Sequence, residues 1–188
     1  MLDENELVQA SRAASEQLYG DAPGTWARDM EQFLVKAPLT KTDTPLHQDQ
    51  SYYVPLPDPR GYNVWLALQD VDEAMGCLWF ESCPLDAPAA LRVHRPAGRG
   101  GGALTCADAP DFSVLTPAPL RAGSVTIHSH LTPHYARGNS TDRARYAFIV
   151  QTRPAAAVRE ASLRGFDHGR KANVPREVNN SAGGVGST

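Results

Sequence analysis

A mostly-β domain that closes into a sandwich or barrel is the fold class this 188-residue sequence predicts, and three observations predict it. Helical periodicity is confined to one stretch near the N-terminus. After Trp26 the pattern shortens to seven brief runs rich in β-branched and aromatic residues, separated by Pro, Gly and Asp. With 41% hydrophobic residues the chain can fill one core and is too short for two comfortable ones, so a single domain is expected.

The elements follow in order. "LDENELVQASRAASEQLYGD" places Leu7, Ala10, Ala14 and Leu18 on one stripe, with Asp3 as cap, Glu6 three residues later and Gly20 as stop, which predicts a helix over about 3–19. "QFLVKAPL", "SYYVPL", "YNVWLALQ", "CLWF", "LRVHR", "SVTIHSHL" and "RYAFIVQT" are the predicted strands; closure of so many short strands removes exposed edges and gives each apolar face something to pack on. The domain is expected over 1–156. From 157 to 188 the composition turns polar and Gly-rich without periodicity, which predicts a disordered C-terminal tail.

Bulk properties narrow the function. A formal net charge of −3 offers no general attraction to phosphate backbones, so nucleic acid is not an expected partner. No apolar run reaches the roughly 18 residues of a membrane span, and "MLDENELVQA" is acidic where a signal peptide is basic and then apolar, so a cytoplasmic protein is expected, with no membrane partner. Cys77, Cys83 and Cys106 match neither a zinc ribbon nor a redox pair and read as reduced thiols.

The chemistry begins at "TPLHQDQSYY". On a strand His47 and Asp49 point the same way and Gln48 the opposite way, so an imidazole and a carboxylate can reach one ion. Together with a distant histidine they would form the two-histidine, one-carboxylate face that leaves positions open on ferrous iron. A second cluster, "AGSVTIHSHLTPHYARGNSTDRARYAFIVQ", offers His128, His130 and His134 as third ligands. It also supplies Arg145, whose planar fork suits the far carboxylate of a dicarboxylate cosubstrate. Other features read as structural: Asp70, Asp72 and Glu73 as turn carboxylates, "GRGGGAL" as a loop, and Arg92, His94, Arg95 and Arg99 as a solvated basic patch that a CoA thioester could use.

Three segments, "KAPLTKTDTPLHQDQSYYVPLPD", "VWLALQDVDEAMGCLWF" and "LRAGSVTIHSHLTPHYARGNSTDRARYAF", together resemble the phytanoyl-CoA dioxygenase family of iron(II)- and 2-oxoglutarate-dependent oxygenases in order and spacing, over about Gln32 to Gln151. The resemblance implies a double-stranded β-helix, or cupin-like jelly roll, with Fe(II), 2-oxoglutarate and O2 as cofactors. It implies hydroxylation of a small organic or acyl substrate, acyl-CoA among the candidates, with release of succinate and CO2. In that family the distal histidine lies eleven positions before the 2-oxoglutarate arginine, which selects His134 with Arg145; Arg143, at the start of the same strand, is the competitor. His47, Asp49 and His134 are then the implied metal ligands, and Arg145, Trp65 and Gln32 the implied cosubstrate contacts, with His128 and His130 as supporting or packing residues. Asp49 stands where related halogenases have a small residue, which favours hydroxylation.

Three departures accompany the resemblance. Ala136 stands where many relatives have a serine that bonds the cosubstrate, a loss of about 1 kcal/mol. "ESCPLDAP" replaces the family's Pro-Gly-Ser-His turn, and only 46 residues precede His47. A non-redox metal-binding barrel, such as a cupin-like isomerase or epimerase, and a catalytically silent binding module are the alternatives. The oligomeric state and the substrate's identity are not encoded in these motifs.

Overall fold

The structure, a computed structural model, describes residues 5–82, 89–98, 103–108, 110–166 and 168. Helix α1 (Glu6–Tyr19) begins two residues later than the Asp3 cap implies: Asn5 is the cap, accepting from the Val8 N–H at 2.9 Å, and Asp3 lies outside the described residues. Gly20 ends it in the left-handed conformation at φ 69°.

Ten strands follow among the described residues: β1 (Trp26–Lys36), β2 (Thr44–His47), β3 (Tyr62–Ala67), β4 (Leu78–Glu81), β5 (His94–Pro96), β6 (Leu104–Cys106), β7 (Leu115–Ala118), β8 (Val125–Ser129), β9 (His134–Ala136) and β10 (Arg145–Pro154). They form two four-stranded antiparallel sheets, ordered β1-β10-β3-β8 and β2-β9-β4-β7, with β5 and β6 as a side ribbon. This is the expected mostly-β, double-stranded β-helix. Between the sheets lies an apolar core that includes Leu46, Trp65, Val71, Met75, Leu78, Trp79 and Ile149.

Strand β10 organises the interior. Arg145, Ala147, Ile149, Gln151 and Arg153 alternate onto its inner face with period two, while Val150 and Thr152 face outward, the latter bonded at 2.7 Å to Ser15 of α1. The register places Gln32 and Trp65 on either side of Ile149, Lys36 opposite Arg145, and Asn63 opposite Gln151.

Three expectations are corrected. "SYYVPL" is not a strand: Asp49–Tyr52 form a 3-10 turn, in which the Ser51 N–H and hydroxyl both donate to the Gln48 carbonyl, at 3.0 and 2.7 Å. Pro55, Pro57 and Pro59 then withhold the N–H groups that a ladder needs. The chain does not become a tail at 157, because Ala155–Leu163 form helix α2, with Ala157 and Ala161 buried. His94 is not part of a solvated patch: it is buried, while Arg92 is bonded to Glu81. Arg99, Cys83, most of "ESCPLDAP" and the glycines at 100–102 lie outside the described residues. No helix among the described residues is long and apolar enough to cross a membrane.

Candidate metal and cosubstrate centre

Strand β2 ends at His47, and Asp49 opens the following turn, so the two do not share a strand as expected. They still share a face, because Gln48 between them keeps extended angles of φ −118° and ψ 131°. The Gln48 side chain points the other way and joins three loops. Its Nε2 donates to the Ala90 and Leu131 carbonyls at 2.9 and 2.7 Å, and its Oε1 accepts from the Arg92 N–H at 2.8 Å. Its backbone N–H donates to His94 Nε2 at 3.1 Å.

His134 opens β9 directly opposite His47 in the β2–β9 ladder. One ligand atom from each of His47, Asp49 and His134 lies within 4.8 Å of the other two, and all three residues are buried. The imidazoles are turned the same way by the same device. His47 Nδ1 lies 2.8 Å from the Pro45 carbonyl, and His134 Nδ1 lies 3.0 Å from the Thr132 carbonyl, in each case two residues back. A carbonyl only accepts, so each Nδ1 carries the hydrogen and each Nε2 presents its lone pair to the centre. Two imidazole nitrogens and one carboxylate oxygen fit a first-row divalent ion such as Fe(II) and leave positions open on it.

Electrostatics follow from burial and proximity. Burial alone would raise the Asp49 carboxyl, but the imidazoles of His134, His128 and His47 outweigh it and hold it well below the usual carboxylate range. His134 is pushed down to about 3, by burial first and then by His47, so it is neutral and available at physiological pH. Burial lowers His47, yet the hydrogen bond and charge of Asp49 prevail and raise it.

Asp49 is itself held in place. Asn63 Nδ2 donates to Asp49 Oδ2, and Asn63 Oδ1 accepts from His130 Nε2 at 3.2 Å. His128 Nε2 stands 3.5 Å from Asp49 Oδ2. The His130 ring stacks on Tyr53 at 4.9 Å and sits against Gly61, where a Cβ would fall 2.2 Å from His130 Nδ1. His128 and His130 thus support the carboxylate.

The centre opens into a cavity of about 410 Å³, within the range of small-molecule sites. All six residues singled out from the sequence line it: His47, Asp49, His134, Arg145, Trp65 and Gln32. Arg145 is buried, and its Nε and Nη1 have no hydrogen-bond partner among the described residues. Burial lowers it to about 10, which leaves it cationic at neutral pH. Its guanidinium lies 5.2 Å from the Trp65 ring centroid, and Trp65 Nε1 also lacks an acceptor. Arg143 is exposed, which removes it as a competitor.

A profile described as phytanoyl-CoA dioxygenase (PhyH) matches residues 2–147. The chain belongs to the phytanoyl-CoA dioxygenase family. Phytanoyl-CoA dioxygenase domain-containing protein 1 of Bos taurus is 32% identical over 128 residues, 66% of this chain and 44% of the relative. The chain therefore spans less than half the length of the curated relatives it matches. Among solved structures of similar fold, EvdO2 from Micromonospora carbonacea var. aurantiaca has a TM-score of 0.68 at 26% identity, over 82% of this chain and 62% of that one. Its complex with 2-oxoglutarate has a TM-score of 0.68 at 25% identity, with the same coverage. The epimerase SnoN, solved with Fe3+, alpha ketoglutarate and nogalamycin RO, has a TM-score of 0.58 at 24% identity, over 77% of this chain and 55% of that one.

Sequence reasoning missed Asn63, Gln48, Thr44 and Gln151, which position or line the site. Only Asn63 left a signal, as a lone polar residue at the inward position before Trp65 in a strand of apolar residues.

Proposed function

We propose that this chain is an iron(II)- and 2-oxoglutarate-dependent oxygenase that hydroxylates a small organic substrate, releasing succinate and CO2. The observation that carries the proposal is the pairing, in one cavity, of the His47, Asp49 and His134 ligand set with a buried arginine whose Nε and Nη1 have no hydrogen-bond partner among the described residues. Leaving a buried cation unpaired is costly, and a carboxylate from 2-oxoglutarate would relieve that cost. Trp65 flanks the same space and offers its indole N–H, and Gln32 lines the cavity from β1.

Bound iron(II), with 2-oxoglutarate and O2, would supply the oxidising power, which no side chain has. The protein's part is to hold and to exclude. His47 and His134 offer Nε2 because their Nδ1 hydrogens are committed to carbonyls, and Asn63 keeps Asp49 turned inward. The serine replaced by Ala136 has a substitute in the same wall: Thr44 is opposite Ala136 in the β2–β9 ladder, and both line the cavity.

The test is anaerobic loading with Fe(II) and 2-oxoglutarate, followed by O2 and measurement of succinate. Metal-dependent succinate formation that is lost in His134→Ala supports the proposal. Metal binding with no succinate under any condition, with or without candidate substrates, favours a non-redox barrel. The likeness to an epimerase that was solved with alpha ketoglutarate makes stereochemical inversion the second outcome to assay, through product mass: hydroxylation adds one oxygen and inversion adds none.

A further inference from the structure

Beyond the metal ligands the cavity has a second wall, formed in part by chain that follows the barrel. Helix α2 ends in a Schellman turn: the Gly165 N–H donates to the Ser162 carbonyl and the Phe166 N–H to the Ala161 carbonyl, both at 3.0 Å, with Gly165 at φ 79°. That reversal brings Phe166 back to Tyr53, with ring centroids 5.8 Å apart, and into the cavity lining. Arg164 Nη1 donates to the Pro55 carbonyl at 3.2 Å, and His168 Nε2 lies 3.0 Å from Asp29 Oδ1, so the turn is tied down on both sides.

Gln151 belongs to the same wall. It is the cross-strand partner of Asn63, which bonds Asp49, whereas Arg145 stands six residues back on the same face, about 20 Å along the strand. Tyr53 Oη donates to Gln151 Oε1, which fixes how the amide is turned, and no described residue accepts from its Nε2. The ionic groups behind this wall lie outside the cavity lining or are ion-paired: Asp29 stands 3.7 Å from Arg153 and 3.0 Å from His168, and the Arg153 guanidinium, whose nitrogens have no hydrogen-bond partner among the described residues, lies 4.8 Å from the Tyr53 ring centroid and does not line the cavity. Among the described residues no unpaired cation reaches this end of the cavity to receive a carboxylate or the phosphates of CoA.

Resting on the oxygenase reading above, we propose that Met30, Tyr53, Gln151 and Phe166 form the substrate subsite, and that it takes an uncharged, largely apolar ring or chain bearing one hydrogen-bond acceptor for Gln151 Nε2. Phe166 supplies the apolar wall and Gln151 the orienting donor.

The test uses Mn(II) and 2-oxoglutarate on the full chain, with paramagnetic broadening of probe protons as the readout. The probes are cyclohexanone, cyclohexanecarboxylate, cyclohexylammonium and coenzyme A. Saturable broadening of cyclohexanone alone is expected. Gln151→Leu should weaken it about fivefold, the value of one hydrogen bond, and Phe166→Ala about tenfold through lost apolar contact. Mn(II) affinity, measured on the same samples, shows that each variant is folded. Equal broadening by the charged probes, none by cyclohexanone, or no effect of either substitution overturns the subsite while leaving the metal centre standing. Failure of the unaltered chain to bind Mn(II) sinks the oxygenase reading itself, and the subsite with it.

Discussion

Replacing Arg145 by methionine separates a ligand anchor from a structural arginine, because the two roles predict opposite signs of stability change. The guanidinium is buried, two of its nitrogens lack partners, and it makes no ion pair among the described residues. Two charge-assisted hydrogen bonds to a carboxylate, at about 1.5 kcal/mol each, amount to about 3 kcal/mol, or roughly 150-fold in the dissociation constant of 2-oxoglutarate. Without cosubstrate, Arg145→Met removes an uncompensated buried charge and forfeits about 1 kcal/mol of cation–π contact with Trp65, so unfolding should be unchanged or up to about 5 °C higher. Isothermal titration of 2-oxoglutarate into Mn(II)-loaded protein gives the first number, and calorimetric melting of the metal-free protein gives the second. A melting temperature several degrees lower, with 2-oxoglutarate affinity intact, would show that Arg145 serves the fold and would refute the anchor.

Four further outcomes are expected. Asn63→Leu should weaken Mn(II) binding about 10- to 100-fold in equilibrium dialysis, since Asp49 loses the donor that orients it. Thr44→Val should raise the KM for 2-oxoglutarate about fivefold with little change in kcat, and Ala136→Ser in that background should restore it. Gly61→Ala should cost about 1–3 kcal/mol in urea unfolding, because the new Cβ overlaps His130 and must push it off Tyr53. Metal affinity should fall with acid by about tenfold per pH unit below the raised His47 pKa. One proton is displaced from that ring, and His134, held at about 3, contributes none; a twofold steeper dependence would contradict this assignment.

The ligand set was legible because period-two alternation survives the end of a strand: Gln48 stays extended, so His47 and Asp49 converge even though only the first is in β2. The pairing of His134 with Arg145 rested on a family spacing, and the cavity contains both. What the pattern hid is tertiary. "SYYVPL" has strand composition, but the Gln48 carbonyl captures Ser51, and the prolines that follow offer no N–H for a ladder. His94 lies within a run of arginines and is nonetheless buried, because its Nε2 accepts the Gln48 N–H and its Nδ1 meets the Arg92 carbonyl at 2.9 Å. Residues past 157 lack the long periodicity of a helix, and α2 is short and held by two buried alanines; the Gly165-Phe166 pair was its one local sign of an ending.

The inner face of β10 shows how one strand can serve two chemistries. Arginines stand at both ends, Arg145 and Arg153, and both are buried, so each needs a counter-charge. At Arg153 the fold provides a counter-charge without a hydrogen bond: β1 bulges between Arg28 and Met30, and the inserted Asp29 places its carboxylate 3.7 Å away. At Arg145 the residue opposite in β1 is Lys36, which adds positive charge and is itself lowered to about 8, by burial and then by Arg145. A domain that needed only stability would balance both ends. A counter-charge at one end and a cavity at the other is the arrangement that the proposed 2-oxoglutarate anchor at Arg145 calls for.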